Sequence, residues 1–426
     1  MQVEENRQSR IRKAFEKRLC MEVRETLQRV KRNFSDPPEA MGYFYDFFSR
    51  WEHPVSSFGD GKIVIGTSCT QVPLELIHAC GAVPLRLCNG SYALEQAGAE
   101  WMPARTCSLV KATVGMVSVF EEGLKNRLAM VVVPTTCDQK RKAIETLEDL
   151  KFKIYPMEAP PAKDTEEADF YWQNSVKKLA LALEEVAGKK ITARRLSAAV
   201  GRLQQASSQF RRLSGFQENI PPLLYGMDLF LVLNAFLYDD LNRWTAAVAR
   251  LNEELEARKR EGKFAGKGAA RILLTGSPPA PPGLKIPLLL EEAGAVVVAD
   301  EVCSCSRLLY DAVAPCEPRL YDLMAAVADR YLKPCTCPLF DSGKDRIRKL
   351  LELVRRFRAD GVVYPVYSGC QPYQMEQRGV GKALREAAVP VLFMETDYSP
   401  EDRGQVSTRI EAFVESIQSR KERRDP

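Results

Sequence analysis

Histidine is almost absent from this sequence, since His53 and His78 are the only two among 426 residues. Two histidines are too few to favour a zinc site built from cysteine and histidine, or a catalytic triad built around histidine. The twelve cysteines include no C-x-x-C pair, which disfavours zinc ribbons and thioredoxin-like redox sites. Thiolate ligands scattered through a chain without imidazole are most typical of iron–sulfur clusters.

Long apolar runs are also lacking. No stretch approaches the roughly 18 uninterrupted apolar residues of a membrane span, and the acidic residues 1–5 do not resemble a secretory signal. We therefore expect a cytoplasmic protein, in which twelve cysteines favour metal or redox chemistry over disulfides.

Neither basic nor acidic residues are in large excess. The net charge is +5, from 61 basic and 56 acidic residues. No basic stripe with interleaved aromatic residues appears, so nucleic-acid binding is disfavoured. A weakly basic balance fits an anionic small molecule or an acidic partner.

Apolar, β-branched runs alternate with helical patterns in two parts of the chain. We predict strands at residues 62–66, 82–87, 128–133, 152–155, 271–275, 295–299, 361–367 and 389–395. Such strands, joined by helices, favour parallel sheets with right-handed crossovers. The fold class is therefore α/β, with two doubly wound (Rossmann- or flavodoxin-like) parallel-sheet domains.

Between these parts the alternation stops, and long amphipathic helices are predicted at 169–188, 192–214 and 229–262. The predicted organisation is an N-terminal helical segment (1–55), a first α/β domain (56–165), a helical region (166–265) and a second α/β domain (266–426).

Four cysteines follow predicted strands: Cys69, Cys137, Cys303 and Cys370. Ligands of open α/β sheets bind outside the carboxyl ends of the strands, so these thiols can converge on one cleft. Cys107 precedes a helix, whose backbone N–H groups can support a thiolate. Cys335 and Cys337 form a C-x-C pair, as do Cys303 and Cys305. Packing in the core is the alternative for each cysteine, and we prefer it for Cys20, Cys80, Cys88 and Cys316.

Several ordered segments carry a resemblance to a known superfamily. They are Thr67-Ser68-Cys69-Thr70-Gln71, Arg105-Thr106-Cys107-Ser108-Leu109, Thr135-Thr136-Cys137-Asp138-Gln139-Lys140, Asp300-Glu301-Val302-Cys303, Lys333-Pro334-Cys335-Thr336-Cys337-Pro338, and Gly369-Cys370-Gln371-Pro372-Tyr373. Over about residues 60–160 and 270–415 the chain resembles the 2-hydroxyacyl-CoA dehydratase and benzoyl-CoA reductase superfamily, D-component-like, and most of all its double-cubane-cluster branch. It departs from the common pattern at Ser108 and at Ser277, where many members have proline and cysteine.

The resemblance implies a set of cluster ligands. Cys107, Cys137 and Cys370 correspond to the three ligands of one [4Fe-4S] cubane in the dehydratase subunits. A double-cubane [8Fe-9S] cluster needs about six thiolates, and Cys69, Cys303, Cys335 and Cys337 are the further candidates. Which one of these four is not a ligand stays open. A single [4Fe-4S] cluster is the alternative.

The resemblance also implies a partner. Family members receive low-potential electrons from a separate ATPase activator that carries its own [4Fe-4S] cluster. This chain contains no G-x-x-x-x-G-K-[ST] phosphate loop, which agrees with ATP hydrolysis on another protein.

Three functions follow as hypotheses. The first is a homodimeric, ATP-dependent iron–sulfur reductase of small unsaturated molecules. The second is a subunit of a 2-hydroxyacyl-CoA dehydratase or aryl-CoA reductase, paired with a paralogue. The third is a non-enzymatic electron carrier or maturation factor. Asp138 and Glu301 are the candidate proton donors, with helix capping or a salt bridge as the alternative role. Lys111 and Lys140 are equally consistent with helix-surface charges.

Overall fold

The computed structural model describes residues 2–34, 36–50, 57–59, 61–314 and 316–423, with side chains from residue 9 onward. Eight strands lie in this part of the chain: β1 (Val64–Thr67), β2 (Val83–Arg86), β3 (Leu128–Pro134), β4 (Ile154–Met157), β5 (Ala270–Thr275), β6 (Ala295–Glu301), β7 (Gly361–Tyr367) and β8 (Val391–Thr396). Each overlaps one of the strands predicted from the sequence.

Seventeen α-helices surround the strands in the described residues. They are α1 (Gln2–Asn33), α2 (Met41–Ser49), α3 (Leu74–Ala79), α4 (Tyr92–Gly98), α5 (Ser108–Val119), α6 (Glu121–Lys125), α7 (Asp138–Asp149), α8 (Glu166–Ala187), α9 (Ala193–Gly215), α10 (Gly226–Ala235), α11 (Leu241–Arg260), α12 (Lys285–Glu292), α13 (Ser306–Leu309), α14 (Leu320–Leu332), α15 (Lys344–Arg356), α16 (Gln371–Glu386) and α17 (Arg403–Glu422).

The strands form two four-stranded sheets, and every pairing in them is parallel. The strand orders are β2-β1-β3-β4 and β6-β5-β7-β8. Strands β5, β6 and β7 are buried along their whole length, as expected for parallel strands covered on both faces. The α/β class with two doubly wound sheets is therefore confirmed.

In each sheet the order of the strands reverses direction at one point, and this point is at the corresponding place in both sheets. It lies between β1 and β3 in the first sheet and between β5 and β7 in the second. At such a point the connections leave in opposite directions, and a crevice opens beyond the carboxyl ends of the strands. The fold thus provides two crevices whose walls are the loops after β1, β3, β5 and β7.

The helical region packs against both sheets. One continuous apolar cluster contains Ile65 of the first sheet, Leu274 of the second, and Trp172 and Trp244 of the helices between them. Helix α9 contacts α3, and α10 contacts α12 and β6. The helices therefore join the two sheets through a shared core. The exact domain boundaries remain a prediction.

One predicted helix is wrong. The sequence predicted a single helix over 229–262, but α10 ends at Ala235 and α11 begins at Leu241. The Asp240 side chain accepts hydrogen bonds from the backbone N–H groups of Asn242 (3.0 Å) and Arg243 (3.2 Å), so it caps a new helix. Trp244 then donates its indole N–H to Val232 O at 2.7 Å, which fixes α11 against α10.

Candidate functional site

Six cysteines line a single cleft between the two sheets. They are Cys69, Cys107, Cys137, Cys303, Cys337 and Cys370, and the cleft has a volume of about 1240 Å³ including its solvent-open part. Four of them lie within three residues of the ends of β1, β3, β6 and β7. Cys107 lies immediately before α5, and Cys337 lies between α14 and α15. The predicted convergence of thiols from both halves of the chain is what the fold produces.

Cys335 is not among these six, although its thiol interacts electrostatically with those of Cys69 and Cys337. It does not line the cleft, and its Sγ accepts a hydrogen bond from Gln71 Nε2 at 2.8 Å. It borders a neighbouring cavity of about 1050 Å³ with Cys337 on its wall. The two residues of the C-x-C pair therefore differ, because Cys337 lines both cavities and Cys335 lines only the neighbouring one of the two.

Cys107 and Cys370 are in direct contact across the interface of the two halves. The Cys107 thiol donates to Cys370, which raises the pKa of Cys107 well above its ordinary value. The same bond lowers the pKa of Cys370 to about 7, against the effect of burial, with help from the Tyr373 N–H and the Ser277 hydroxyl. Ser277 itself accepts the Tyr367 N–H at 2.9 Å. Ser277, which follows β5, thus supports Cys370, which follows the neighbouring strand β7.

Gln139 holds three of the cysteine loops together. Its Oε1 accepts the backbone N–H of Cys107 at 2.7 Å, and its Nε2 donates to Gly369 O at 2.8 Å. It is two residues from Cys137, so one side chain links the loops of Cys107, Cys137 and Cys370. Gly369 has φ +78°, and a Cβ there would lie 2.3 Å from Arg105 O. Only glycine permits so close an approach of these loops.

The thiols of Cys69 and Cys303 face three cations. Burial raises the pKa of Cys69, but Lys140, the Gln71 N–H and Arg86 together bring it below its ordinary value. Burial raises the pKa of Cys303 to about 11, although Arg307, Lys140 and Arg86 oppose that rise. Cys69 also raises the pKa of Cys303 through their mutual repulsion, and both residues line the cleft.

The six thiols therefore divide into two groups. Burial raises the pKa of Cys337 well above its ordinary value, and repulsion from Cys335, Cys69 and Cys303 adds to the effect. Cys69, Cys303 and Cys337 form one group, which we call the Cys69 group. Cys107, Cys137 and Cys370, whose loops Gln139 links, form the other, which we call the Cys107 group.

The two candidate proton donors occupy different environments. Asp138 is exposed, begins α7 and lines the cleft. Glu301 is buried and does not line the cleft; it accepts hydrogen bonds from Arg307 (2.7 Å), Arg346 and Thr336. Burial raises the pKa of Glu301, but Arg307 and Arg346 bring it below its ordinary value. A carboxylate held charged in this way is a poor proton donor, and the salt-bridge role fits its contacts.

The remaining cysteines lie outside the cleft. Cys80 is buried, with its thiol donating to Ile77 O at 3.1 Å, so the packing prediction is correct for it. Cys305 is buried and accepts from Asn234 Nδ2 at 3.3 Å. Cys88 donates to Ser68 O at 3.0 Å, and Cys20 is half-buried. Cys316 is exposed, so core packing is wrong for it.

The two lysines that the sequence left open are not simple surface charges. Lys111 Nζ forms a 2.8 Å ion pair with the buried Glu95. Lys140 Nζ donates to Ser68 O at 3.1 Å and lines the cleft. Arg86 and Arg307 were missed as functional candidates, because no spacing in the sequence distinguishes them. Gln139 and Gly369 lie in segments that carry the resemblance, but only the structure shows what they contact.

Two kinds of feature were not found among the described residues: a site for a single metal ion and a helix that could span a membrane. No three His, Cys, Asp or Glu side chains there converge closely enough to hold a single metal ion. Among the same residues, no helix combines the length and apolar character required to cross a membrane. His53 lies outside the described residues, and His78 is half-buried on α3, away from the cleft.

The chain matches one known protein family over most of its length. Residues 69–417 match the family model described as 2-hydroxyglutaryl-CoA dehydratase, D-component. The match covers the helical region and every strand except β1.

Three relatives cover nearly the same stretch. YjiM of Escherichia coli (strain K12), named as a candidate dehydratase subunit, is 29% identical over 84% of this chain and 92% of its own. The (R)-phenyllactyl-CoA dehydratase beta subunit of Clostridium sporogenes is 24% identical, with the same coverage. One of the benzoyl-CoA reductase subunits of Thauera aromatica is 23% identical over 83% of this chain and 90% of its own. With a family match over most of its length, the chain belongs to the 2-hydroxyglutaryl-CoA dehydratase D-component family.

Proposed function

We propose that this chain is an iron–sulfur reductase that holds a double-cubane cluster in the cleft and receives low-potential electrons from a separate ATP-hydrolysing activator. The observation that carries the proposal is the arrangement of six thiols, in two groups of three, around one cleft. A single cubane would use only the thiols of the Cys107 group and would leave the three thiols of the Cys69 group without a role.

The donor set fits such a cluster. Every candidate ligand is a thiol, which is the usual ligand of iron–sulfur clusters. Backbone N–H groups are directed at the sulfurs of Cys69, Cys107 and Cys370, from Gln71, Leu109 and Tyr373 respectively. Hydrogen bonds to cluster sulfurs are among the features that set reduction potential. The ligands we propose are therefore Cys69, Cys303 and Cys337 for one cubane, and Cys107, Cys137 and Cys370 for the other.

Cys335 is the candidate that we exclude from the ligand set. Its thiol accepts a hydrogen bond from Gln71 Nε2, and Cys337 is the residue of the pair that lines the cleft. Such a bond gives Cys335 a role in holding the loop of Cys69, which is two residues from Gln71.

The cluster would supply electrons at low potential to small unsaturated substrates. The chain itself would supply binding, orientation and protons. Leu109, Leu339 and Met375 contribute apolar side chains to the lining of the cleft, and Asp138 is an exposed carboxyl group on the same lining. We assign proton delivery to Asp138 and a positioning role to Glu301, which fixes Arg307 and Arg346. Assembly as a homodimer is part of the same proposal.

A second candidate function is supported by the relatives. Their names describe CoA-ester dehydratase beta subunits and a benzoyl-CoA reductase subunit. In that case the chain would carry one cubane at the Cys107 group, pair with a paralogous subunit and act on a CoA thioester.

The deciding experiment is an anaerobic purification followed by iron and acid-labile sulfide analysis and electron paramagnetic resonance. We expect about eight irons per chain for a double cubane and about four for a single one. The matched control is the Cys69→Ser/Cys303→Ser double variant, which should fall toward four irons. A colourless anaerobic protein that contains only zinc would contradict both functions.

A further inference from the structure

Exposed apolar side chains are concentrated on one pair of packed helices. Ten large apolar side chains are exposed among the described residues, and α8 and α14 carry five of them: Phe170, Tyr171, Leu181, Leu320 and Tyr321. The two helices pack against each other, and the Trp172 indole of α8 donates to Ala328 O of α14 at 2.9 Å. Exposed apolar groups gathered in this way mark a surface that another molecule covers.

Leu181 lies on the outer face of α8. It is 64% exposed, whereas Leu179 and Leu183, on the inner face of the helix, are fully buried. One turn before Leu181, the Lys177 Nζ lies 5.4 Å from the centre of the Tyr321 ring. Leu181, Lys177 and Tyr321 therefore form one continuous exposed surface across the two helices.

The charges on either side of Leu181 are opposite in sign and equally spaced. Lys177 and Lys178 precede it by four and three residues, and Glu184 and Glu185 follow it by three and four. Residues three and four apart on a helix are neighbours on its surface. When the helix is turned end over end about Leu181, each lysine is therefore replaced by a glutamate and each glutamate by a lysine.

The stability of α8 itself does not account for these charges. Glu185 lies in the last turn of the helix, where a carboxylate opposes the helix dipole. Its side chain is 79% exposed, and its one ion pair within the described residues is with Lys153, at 3.6 Å. Lys178 is exposed and has no carboxylate partner in the same part of the chain. Glu184 differs, because Lys190 compensates it at 2.7 Å.

We propose that a second copy of this chain binds to this face, with the two α8 helices antiparallel across a two-fold axis at Leu181. A two-fold contact joins the same surface of both copies, so that surface must be complementary to itself. At a rise of 1.5 Å per residue, Lys178 lies about 4.5 Å before Leu181 and Glu185 about 6 Å after it. Lys178 of one copy is then nearly level with Glu185 of the other, and the contact contains this ion pair twice.

This inference rests on the homodimer that is part of the proposed function, and it names the face through which the two copies meet. No residue of α8 or of the exposed start of α14 lines the cleft. An α8 contact therefore leaves the cleft of each copy open to a substrate and to an electron donor.

The test is sedimentation velocity over a range of concentrations, on the full chain purified anaerobically and with its iron content measured. Leu181→Ser removes the central apolar contact, and Lys178→Glu and Glu185→Lys each turn both ion pairs into like-charge contacts. We expect each variant to raise the dissociation constant of the dimer at least tenfold. Lys142→Glu, on α7 with the Lys142 side chain 71% exposed, is the control and should dimerise like the parent protein.

The decisive sample is an equimolar mixture of the Lys178→Glu and Glu185→Lys variants. In the mixed dimer both pairs again join opposite charges, with the signs of one pair exchanged. The mixture should therefore dimerise with the affinity of the parent protein, although neither variant does so alone.

Parent-like dimers in all three single variants would overturn the inference and leave the proposed function intact, because the copies would then meet at another face. Weakened dimers that the mixture does not restore would also overturn it, since the two charges would not face each other. A monomeric parent protein, or one that only a different protein captures through Leu181, would overturn it together with the homodimer. The iron content of the same preparations decides the cluster separately.

Discussion

At the residue scale, the site depends on side chains that are not themselves candidate ligands. Gln139 accepts the Cys107 N–H, donates to Gly369 O and lies two residues from Cys137. No other described side chain bonds both of these loops. The geometry of the Cys107 group is therefore set by an amide that spans the two halves of the chain.

Gln139→Leu should weaken that geometry. The change removes two hydrogen bonds and leaves a backbone N–H and a carbonyl unsatisfied, at a cost of about 1–3 kcal/mol each when buried. We expect less iron per chain after anaerobic purification and a lower free energy of unfolding in urea. Gln96→Leu, at an exposed position on α4, is the control. Full iron content in Gln139→Leu would show that the loops hold their positions without it.

The cysteines allow a sharper test. Cys337→Ala, Cys107→Ala, Cys137→Ala and Cys370→Ala should each lose much of the iron, because each removes a thiol from the lining of the cleft. Cys335→Ala should keep it, since that residue does not line the cleft and its thiol accepts a hydrogen bond from Gln71. Exposed Cys316→Ala is the control. Equal iron content in Cys335→Ala and Cys337→Ala would refute the division of this pair.

At the scale of the elements, the boundary between α10 and α11 depends on a capping residue, and the spacing of apolar residues does not reveal it. The apolar pattern continues from α10 into α11, so periodicity alone merged them. Asp240 ends that continuity by capping Asn242 and Arg243. Adjacent Asp239 and Asp240 in the sequence were a usable signal for a helix start.

Helix α10 also carries a buried acid that joins it to α2. Asp228 is 0% exposed and accepts a 2.5 Å hydrogen bond from the Tyr45 hydroxyl. Burial raises the pKa of Asp228 from 3.8 to about 7, although the bond from Tyr45 opposes the rise. Between these two values the folded chain keeps a proton that the unfolded chain has lost.

The contribution of Asp228 to the free energy of unfolding should therefore decrease as pH rises from about 4 to about 7. Above pH 7 this contribution should be constant. Asp228→Asn has no such proton, so the difference in unfolding free energy between parent and variant should shift by at most about 4 kcal/mol across this range. Urea denaturation at a series of pH values measures it. Asp149→Asn, at an exposed position, should show a constant difference. A constant difference for Asp228→Asn as well would mean that Asp228 is charged when folded.

At the scale of the whole molecule, the helical region unites the two sheets into one body around the cleft. Trp172 and Trp244 lie in the same apolar cluster as strands of both sheets. The family match over residues 69–417 includes these helices, so they belong to the common architecture of the family.

The chain contains no phosphate loop, and the proposed electron transfer needs an energy source. We expect substrate reduction to require ATP, a low-potential reductant and a separate activator protein. The rate should fall as salt increases if the net charge of +5 assists the encounter. Each component is omitted in turn from the assay as a control. Steady ATP-dependent reduction by this chain alone would refute the need for a partner.

The sequence by itself determined the class of the fold and the region of the site. Apolar β-branched runs identify parallel strands, and ligands of such sheets bind beyond the strand ends, so Cys69, Cys137, Cys303 and Cys370 were predictable as a group. The tertiary structure alone decided that Gln71 donates to the Cys335 thiol, that Gln139 links three loops and that, among the described residues, Arg86 Nε is buried without a hydrogen-bond partner. These features depend on distances between residues far apart in the chain, which packing of the two sheets through the helical region sets, and no local pattern of residues encodes them.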